Sequence, residues 1–156
     1  MKWLDSFRGK MVGLDTAPVI YYVEKNPQYY DMMHAFFQTV NAGECAAVTS
    51  VVTLLEGLVI PLRRNDTNLV RAYYSLLYDT DDFTTISLFP DTARKASQLR
   101  ASYKSMRTAD SIQIATAIRS NASFFLTNDA SLPSIPDLKI IVLEDLRKEQ
   151  QSSTEP

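Results

Sequence analysis

Residues 107–129 read RTADSIQIATAIRSNASFFLTND, and this stretch decides the fold. Thr108 can cap a helix over 109–119, and the apolar run FFLT at 124–127 predicts a short buried strand. A helix that leads directly into such a strand is typical of a mostly parallel sheet. The stretch therefore predicts an α/β unit, with Asp110 in the first turn of its helix and Asp129 just after its strand.

The same alternation of strands and helices extends through the rest of the chain. Further short apolar runs predict strands over 11–14, 45–48, 84–88 and 139–143. Between them, capping and breaking residues predict helices over 18–24, 27–40, 51–64, 69–78 and 90–104, the first of them with Thr16 as its N-cap. This order predicts a mostly parallel sheet covered by helices on both faces. We expect a single domain over 1–146 and a polar, flexible tail over 147–156.

The composition is that of an ordinary globular protein, with 46% apolar and 22% charged residues among 156. The net charge of −2 gives no sign of a wholly basic nucleic-acid-binding protein. A single cysteine, Cys45, excludes an intrachain disulfide and fits a reducing compartment. Residues 1–11 contain no apolar segment of the length of a signal peptide core, and no apolar run in the chain has the length of a membrane span. We therefore expect a cytoplasmic protein without membrane contact.

Several common chemistries lack the residues that they require. Only four glycines occur, and none is placed as in the phosphate-binding loops of nucleotide-binding proteins. The single histidine, His34, leaves too few ligands for a Cys/His zinc site. No GxSxG nucleophile elbow is present, which disfavours a serine hydrolase. If the protein is a catalyst without an organic cofactor, carboxylates and a hard metal ion remain.

Four carboxylates follow strands or begin helices. Asp15 comes directly after the first strand, Asp129 follows the fourth, and Asp110 opens the helix between the third and fourth strands. Glu56 lies in an apolar part of the helix after the second strand, where we expect a buried or rim position. If strands one and four are neighbours where the strand order reverses, Asp15 and Asp129 face each other at the carboxyl edge of the sheet.

Each acid also has a simpler interpretation. Asp15 can cap a helix, Asp110 can interact with the positive end of its helix, and Asp129 can form an Asx turn. Together at one edge, however, four acids repel each other, and a divalent cation relieves that repulsion. Ligands that are all oxygen favour Mg²⁺ or Mn²⁺.

Four segments carry a resemblance to a known family. They are 13–16 (GLDT), 50–57 (SVVTLLEG), 107–118 (RTADSIQIATAI) and 126–129 (LTND). In this order and spacing they resemble the PIN domain, and within it the VapC-like toxins of toxin–antitoxin pairs. The resemblance spans roughly residues 11–146. One departure is the proline-rich stretch 132–136, since the family often has an aromatic residue soon after its fourth acid.

The resemblance implies a three-layer α/β/α sandwich with a mostly parallel, four- to five-stranded central sheet. It also implies RNA cleavage that depends on Mg²⁺ or Mn²⁺. The family's three invariant acids carry over to Asp15, Glu56 and Asp110, and its more variable fourth acid carries over to Asp129. Asp15, Asp110 and Asp129 are expected to bind metal directly or through water, and Glu56 through water or by orienting the attacking water. The residues expected beside these acids are Thr16, Thr127 and Asn128.

The resemblance further implies a type II toxin restrained by a VapB-like antitoxin. We expect the antitoxin to cover the acidic cavity, and we expect a homodimer. The tyrosine-rich helices within 19–40 and 69–78 offer apolar surface for either partner.

A run of basic residues precedes Asp110 in the sequence. It contains no acid, and its members are Arg94, Lys95, Arg100, Lys104 and Arg107. Its position beside the proposed site predicts a rim that binds the phosphates of RNA. A solvated helix face is an equally good interpretation.

Two other functions remain open from the sequence. The first is a PIN-like RNA-binding or regulatory module without nuclease activity, although the presence of all four acids argues against it. The second is a receiver-type phosphoacceptor domain, which needs a lysine after a late strand. Lys139 instead comes at the start of its strand, so this interpretation is weak.

Overall fold

The computed structural model describes residues 1–153, in which strands alternate with helices. The strands are β1 (Met11–Leu14), β2 (Ala46–Ser50), β3 (Phe83–Ile86), β4 (Phe124–Thr127) and β5 (Lys139–Val142). The helices are α1 (Lys2–Asp5), α2 (Thr16–Val23), α3 (Tyr30–Asn41), α4 (Val51–Arg63), α5 (Thr67–Tyr78), α6 (Pro90–Ser102), α7 (Thr108–Arg119) and α8 (Leu143–Ser152). None of the helices within residues 1–153 is long and apolar enough to cross a membrane.

The five strands form one sheet in the order β3-β2-β1-β4-β5, and every pair is parallel. The chain adds strands in one direction from β1 to β3 and then returns to place β4 on the other side of β1. The strand order therefore reverses between β1 and β4, where Leu14 pairs with Leu126. The prediction of a mostly parallel α/β sheet is confirmed, and β1 and β4 are neighbours, which is the condition under which Asp15 and Asp129 were expected to meet at one edge.

One face of the sheet, here called the aromatic face, is covered by α1, α2, α3, α4, α5 and α8. Val12 and Leu14 of β1 point to this face, and so does Leu126 of β4. Its phenylalanine rings pack edge to face or tilted against other rings, with Phe37 4.5 Å from Tyr22 and 5.3 Å from Phe36 between ring centroids. Large buried side chains therefore fill most of the volume on this side.

The opposite face, here called the alanine face, is covered by α6 and α7. Its buried side chains include four alanines, Ala96, Ala115, Ala117 and Ala122. At Gly13 of β1 the approach is so close that an added Cβ would lie 2.5 Å from the Cβ of Ala117 and 3.0 Å from the Phe125 ring. Small residues thus allow α7 to pack directly against the centre of the sheet.

The predicted N-caps of two helices, α2 and α7, are corrected by the structure. The predicted cap of α2 was Thr16, but the helix begins at Thr16 and its N-cap is Asp15, whose side chain accepts the Thr16 N–H. The N-cap of α7 is likewise Arg107 rather than Thr108. In both cases the cap lies one residue earlier than the sequence pattern indicated.

The prediction that 147–156 is a flexible tail is wrong as far as Ser152, because α8 continues to that residue. Leu143 is buried on the aromatic face, and Leu146 packs against the same cluster. Glu144 pairs with Arg147 and Lys148 one turn further along. Apolar residues spaced by three therefore anchor a helix whose composition is mostly polar. Residues 154–156 of the predicted tail lie outside the described residues.

Candidate active site

Asp15 lies at the carboxyl end of β1, where the strand order reverses. Its Oδ1 accepts a hydrogen bond from the Thr16 N–H at 2.8 Å, and its Oδ2 accepts one from Thr127 Oγ1 at 2.7 Å. Its own N–H donates to the Leu126 carbonyl at 3.0 Å, which continues the β1–β4 pairing. The carboxylate is therefore fixed between the first and fourth strands, the place where parallel α/β sheets bind ligands.

The environment of Asp15 is unfavourable for its charge. Burial raises the pKa of this carboxyl, and the negative charges of Asp110 and Glu56 raise it further. Hydrogen bonds from Thr127 and Thr16 act in the opposite direction without cancelling the rise. Asp110 and Glu56 therefore lie close enough to Asp15 to disfavour its negative charge.

Glu56 reaches this edge from α4. The helix starts at the end of β2, where the Ser50 side chain caps it by accepting the Val52 N–H at 3.2 Å. Glu56 is exposed, so it takes the rim position rather than the buried one. Its Oε1 accepts a hydrogen bond from Thr16 Oγ1 at 2.7 Å, next to Asp15 in sequence.

Asp110 and Asp129 are half-buried and make local hydrogen bonds. Asp110 Oδ2 accepts the Arg107 N–H at 3.2 Å, at the start of α7. Asp129 Oδ1 accepts the N–H of Ser131 at 2.9 Å and its Oγ–H at 2.6 Å, which is the Asx turn of the simpler interpretation. The Asp129 N–H donates to Thr127 Oγ1 at 3.0 Å, so Thr127 links this turn to Asp15.

Asn128, predicted beside the acids, holds the neighbouring elements together. Its Nδ2 donates to the hydroxyl of Tyr21 at 3.1 Å, and its Oδ1 accepts the Glu144 N–H at the start of α8 at 2.9 Å. Its described bonds thus connect the end of β4 to α2 and α8. Asn128 therefore holds α2 and α8 beside the end of β4, and none of these hydrogen bonds is to one of the four acids.

The four acids supply carboxylate oxygens, which suit a hard divalent cation. Their side chains, however, do not converge on one position. Within residues 1–153, no three Asp, Glu, His or Cys side chains lie close enough together to hold a metal ion. Glu56, Asp110 and Asp129 are each turned toward a separate hydrogen-bond donor. The fit rests on carboxylate oxygens and on the raised pKa of Asp15, since a cation relieves the repulsion that contributes to that rise.

The basic residues are spread along α6 and the loop after it. α6 and α7 run antiparallel, because Asp91 pairs with Arg119 at one end and Arg100 Nη1 donates to Thr108 Oγ1 at the other. Arg100 therefore lies at the Asp110 end of α7. The residues that share this end with it are Lys104 and Arg107, whereas Arg94 and Lys95 lie further toward the opposite end.

The sequence interpretation missed one buried polar side chain, Gln113 of α7. Its side chain is almost fully buried, with 1% exposure, and it hydrogen-bonds to a group of hydroxyl residues beneath the acids. Those residues are Thr16, Thr49, Ser50 and Thr53. The signal was present in the sequence, because Gln113 follows Asp110 by three residues and so lies on the same face of an otherwise apolar stretch.

Comparison with known proteins supports the family. The sequence model of the PIN domain matches residues 14–138. A toxin–antitoxin complex from Klebsiella pneumoniae contains a similar chain, with a TM-score of 0.63 at 20% identity, over 86% of this chain and 98% of that one. VapBC2 from Rickettsia felis, bound to a DNA fragment from its promoter, gives a TM-score of 0.62 at 16% identity, over 85% and 98%.

No curated protein sequence matches the chain. The structural similarities, at this level of identity, show a shared fold. The family match covers most of the chain and includes the stretch 107–129 with which the sequence argument began. The chain belongs to the PIN domain family.

Proposed function

We propose that this protein is a Mg²⁺- or Mn²⁺-dependent endoribonuclease and the toxin of a type II toxin–antitoxin pair. The observation that carries the proposal is the crowded charge at Asp15, whose pKa is raised by burial and by Asp110 and Glu56. Negative charge collected at the reversal point of a parallel sheet fits a site for a cation. Membership of the PIN domain family supports the same activity.

The proposed roles follow from what each side chain contacts. Asp15, Asp110 and Asp129 would hold the ion directly or through water, and Glu56 would act through water or orient the attacking water. When bound, the ion supplies Lewis acidity and lowers the pKa of a water molecule. Thr127 keeps Asp15 in place through the 2.7 Å hydrogen bond.

The proposed substrate is RNA, and the cations near Asp110 would bind its phosphates. Arg100, Lys104 and Arg107 lie at the Asp110 end of α7 and are exposed. Arg94 and Lys95 lie further along α6 and would contact a longer segment of the same strand. Neutralisation of phosphate charge by such residues makes binding depend on salt.

The proposed partner is a VapB-like antitoxin in the cytoplasm, with a homodimer as the expected assembly. The two similar structures are described as a toxin–antitoxin complex and as VapBC2. The chain exposes an apolar surface on α4 and α5 beside Glu56, formed by Leu55, Val59, Leu62, Tyr74 and Tyr78. Of the tyrosine-rich segments, α5 offers more free aromatic surface than α2 and α3. Tyr74 and Tyr78 stack on each other but remain exposed, whereas the tyrosines of α2 and α3 are half-buried.

The nuclease proposal is tested with purified protein and a labelled single-stranded RNA. Cleavage is expected with Mg²⁺ or Mn²⁺ and not with a chelator. Asp15→Asn is the matched control, because it removes the charge while keeping the size of the side chain. Cleavage that continues in the chelator or in Asp15→Asn would contradict the proposed site.

The toxin proposal has a separate test in growing bacteria. Expression of the wild-type chain should arrest growth, and expression of Asp15→Asn should not. Equal growth of the two strains would contradict the toxin proposal and leave the nuclease proposal standing.

A PIN-like RNA-binding module without catalysis is the second candidate. One observation favours it, namely that Glu56, Asp110 and Asp129 are each held by a separate local hydrogen bond. In that case RNA would bind without being cleaved at any Mn²⁺ concentration, and Asp15→Asn would bind RNA at least as tightly as the wild type.

A further inference from the structure

We propose that Gln113 is a positioning residue that holds Glu56 at the acidic edge by acting through the hydroxyl of Thr16. The path consists of two hydrogen bonds, from Gln113 Nε2 to Thr16 Oγ1 at 3.0 Å and from Thr16 Oγ1 to Glu56 Oε1 at 2.7 Å. The effect on catalysis rests on the proposed nuclease function, whereas the effect on the placement of Glu56 does not.

The Ser50 backbone N–H determines which end of the Gln113 amide is the oxygen and which is the nitrogen. The backbone N–H of Ser50 lies 3.1 Å from Gln113 Oε1, and a backbone N–H can only donate. The oxygen of the amide must therefore face Ser50, whose hydroxyl donates to the same oxygen at 2.8 Å. With the oxygen placed there, both protons of Nε2 point the other way, toward Thr16 and Thr53.

The two Nε2 protons fix the direction of the hydroxyl groups that receive them. Thr53 accepts one at 2.7 Å and lies 2.6 Å from Thr49, whose own hydroxyl donates to the Leu14 carbonyl at 2.9 Å. Thr53 therefore donates to Thr49. Thr16 accepts the other Nε2 proton, which leaves its hydroxyl proton for Glu56. Longer contacts of 3.4 Å also join Thr49 to Gln113 Oε1 and Thr16 to Thr53, so the assignment follows the shorter hydrogen bond of each hydroxyl.

Burial makes this arrangement rigid, whereas Glu56 alone would be free to move. Gln113, Thr49 and Thr53 are at most 1% exposed, so each polar atom among them must find a partner within the protein. Glu56 is on the surface, and its one described hydrogen bond is to Thr16. The buried network thus restricts the position of the exposed Glu56 carboxylate through the hydroxyl of Thr16.

The test compares the rate constants of three variants with the wild type. Gln113→Met removes the amide, Thr16→Val removes the hydroxyl, and the double variant removes both. Loss of an outer partner of a metal-site residue typically costs about 10–100-fold, and we expect kcat of each single variant to fall within this range with KM changed less than twofold. If Gln113 acts through Thr16, the double variant has the kcat of Thr16→Val alone.

A matched control separates positioning from a general loss of stability. Thr116→Ala removes a buried hydroxyl from the same helix, α7, but its hydrogen bond goes to the Ile112 carbonyl and not to the network. We expect it to lower the free energy of unfolding and to leave kcat within about twofold of the wild type, which is far below the range expected for the positioning variants. Thr16→Ser keeps the hydroxyl and should regain most of the activity that Thr16→Val loses, even if Gln113→Met does not fold.

Crystal structures of the metal-free variants provide a readout that does not depend on activity. In Thr16→Val and Gln113→Met, Glu56 should leave its position beside residue 16 or become disordered, while in Thr116→Ala it should stay. If Glu56 keeps its position in Thr16→Val and Gln113→Met, the inference is wrong whether or not the protein cleaves RNA. Multiplied rather than equal losses in the double variant would also overturn it. A wild type that never cleaves RNA would contradict the nuclease proposal alone.

Discussion

The two faces of the sheet are built on opposite principles. The aromatic face fills its volume with large rings, such as Phe36 and Phe37, which contact each other in several orientations. The alanine face uses small residues so that α7 can approach the sheet at Gly13. Bulk burial of apolar surface stabilises the fold on one side, and close approach positions polar side chains on the other.

This difference explains why the network beneath the acids lies where it does. α7 carries Asp110 in its first turn and Gln113 one turn later. A large residue in place of Gly13 or Ala117 would push the helix outward and draw both side chains away from the carboxyl edge. We therefore expect the aromatic face to govern stability and the alanine face to govern activity, and four substitutions test that division.

The largest effect on activity is expected from Asp15→Asn, at the edge where both faces meet. Cleavage should fall by more than the roughly 100-fold upper range for an outer partner of a metal site, since this side chain is a proposed direct ligand. Burial and the neighbouring acids raise the pKa of Asp15, so its charge destabilises the metal-free fold above that pKa.

The same substitution should therefore leave the free energy of unfolding at pH 7 equal or higher. Because the pKa is raised in the folded state, this gain should shrink as the pH falls through the folded value and vanish below the ordinary value of 3.8. Chemical denaturation at several pH values measures it. A loss of more than about 2 kcal/mol at pH 7 would instead indicate a structural role for Asp15.

Phe37→Ala should give the largest loss of stability. The ring is 1% exposed and touches Tyr22, Phe36 and Phe83. Truncating such a ring typically costs about 3–5 kcal/mol, which denaturant unfolding would detect. The fraction that stays folded at low temperature should cleave RNA at close to the wild-type rate. A folded variant with a strongly reduced kcat would break the proposed division between the faces.

Gly13→Ala should have a smaller effect on stability and a larger one on activity. The new Cβ would lie 2.5 Å from Ala117, so α7 must shift, and overpacking of this kind costs about 1–3 kcal/mol. The shift would move Asp110 and Gln113 and reduce kcat. Ala117→Gly in the same chain makes room for the added methyl group and should restore part of the lost activity. If the double variant is no better than Gly13→Ala, close approach of α7 is not the cause.

The smallest effect concerns the aromatic face where α8 joins it. Glu144 accepts hydrogen bonds from Arg147 and from the Tyr29 hydroxyl, and these lower the pKa of its carboxyl to about 2. The contribution to stability is therefore complete above the ordinary pKa of 4.5 and is lost as the pH falls toward 2. Thermal unfolding between pH 6 and 2 should be less pH-dependent in Glu144→Gln. Identical pH profiles would contradict the contact.

The sequence predicted the sheet better than it predicted the helix caps and the hydrogen-bond partners around the acids. Strand 124–127 was predicted with its observed bounds, because a continuous apolar run between turn residues has few other interpretations. The adjacency of β1 and β4 was only a condition in the sequence argument, because the order of elements along the chain does not fix the order of strands in the sheet. The caps were missed by one residue, since Asp15 and Thr16 are both good capping residues.

The buried network could not be read from periodicity, which records only whether a position is apolar. Gln113 stands among apolar residues, and nothing in its own neighbourhood reveals that Ser50 and Thr53, more than fifty residues earlier, supply its partners. Helix α8 was missed for a related reason. Its sequence is polar, and among residues 1–153 its apolar contacts with the aromatic face come from Leu143 and Leu146.

The hydrogen bond between Thr127 and Asp15 joins residues that are 112 positions apart. During synthesis, β1, β2 and β3 can pair while β4 is still absent, because chains emerge from the N-terminus and long-range contacts form last. The acidic edge can therefore be completed only after β4, the fourth strand along the chain, has been made. For the proposed ribonuclease, this strand order sets the earliest point during synthesis at which a complete site can form.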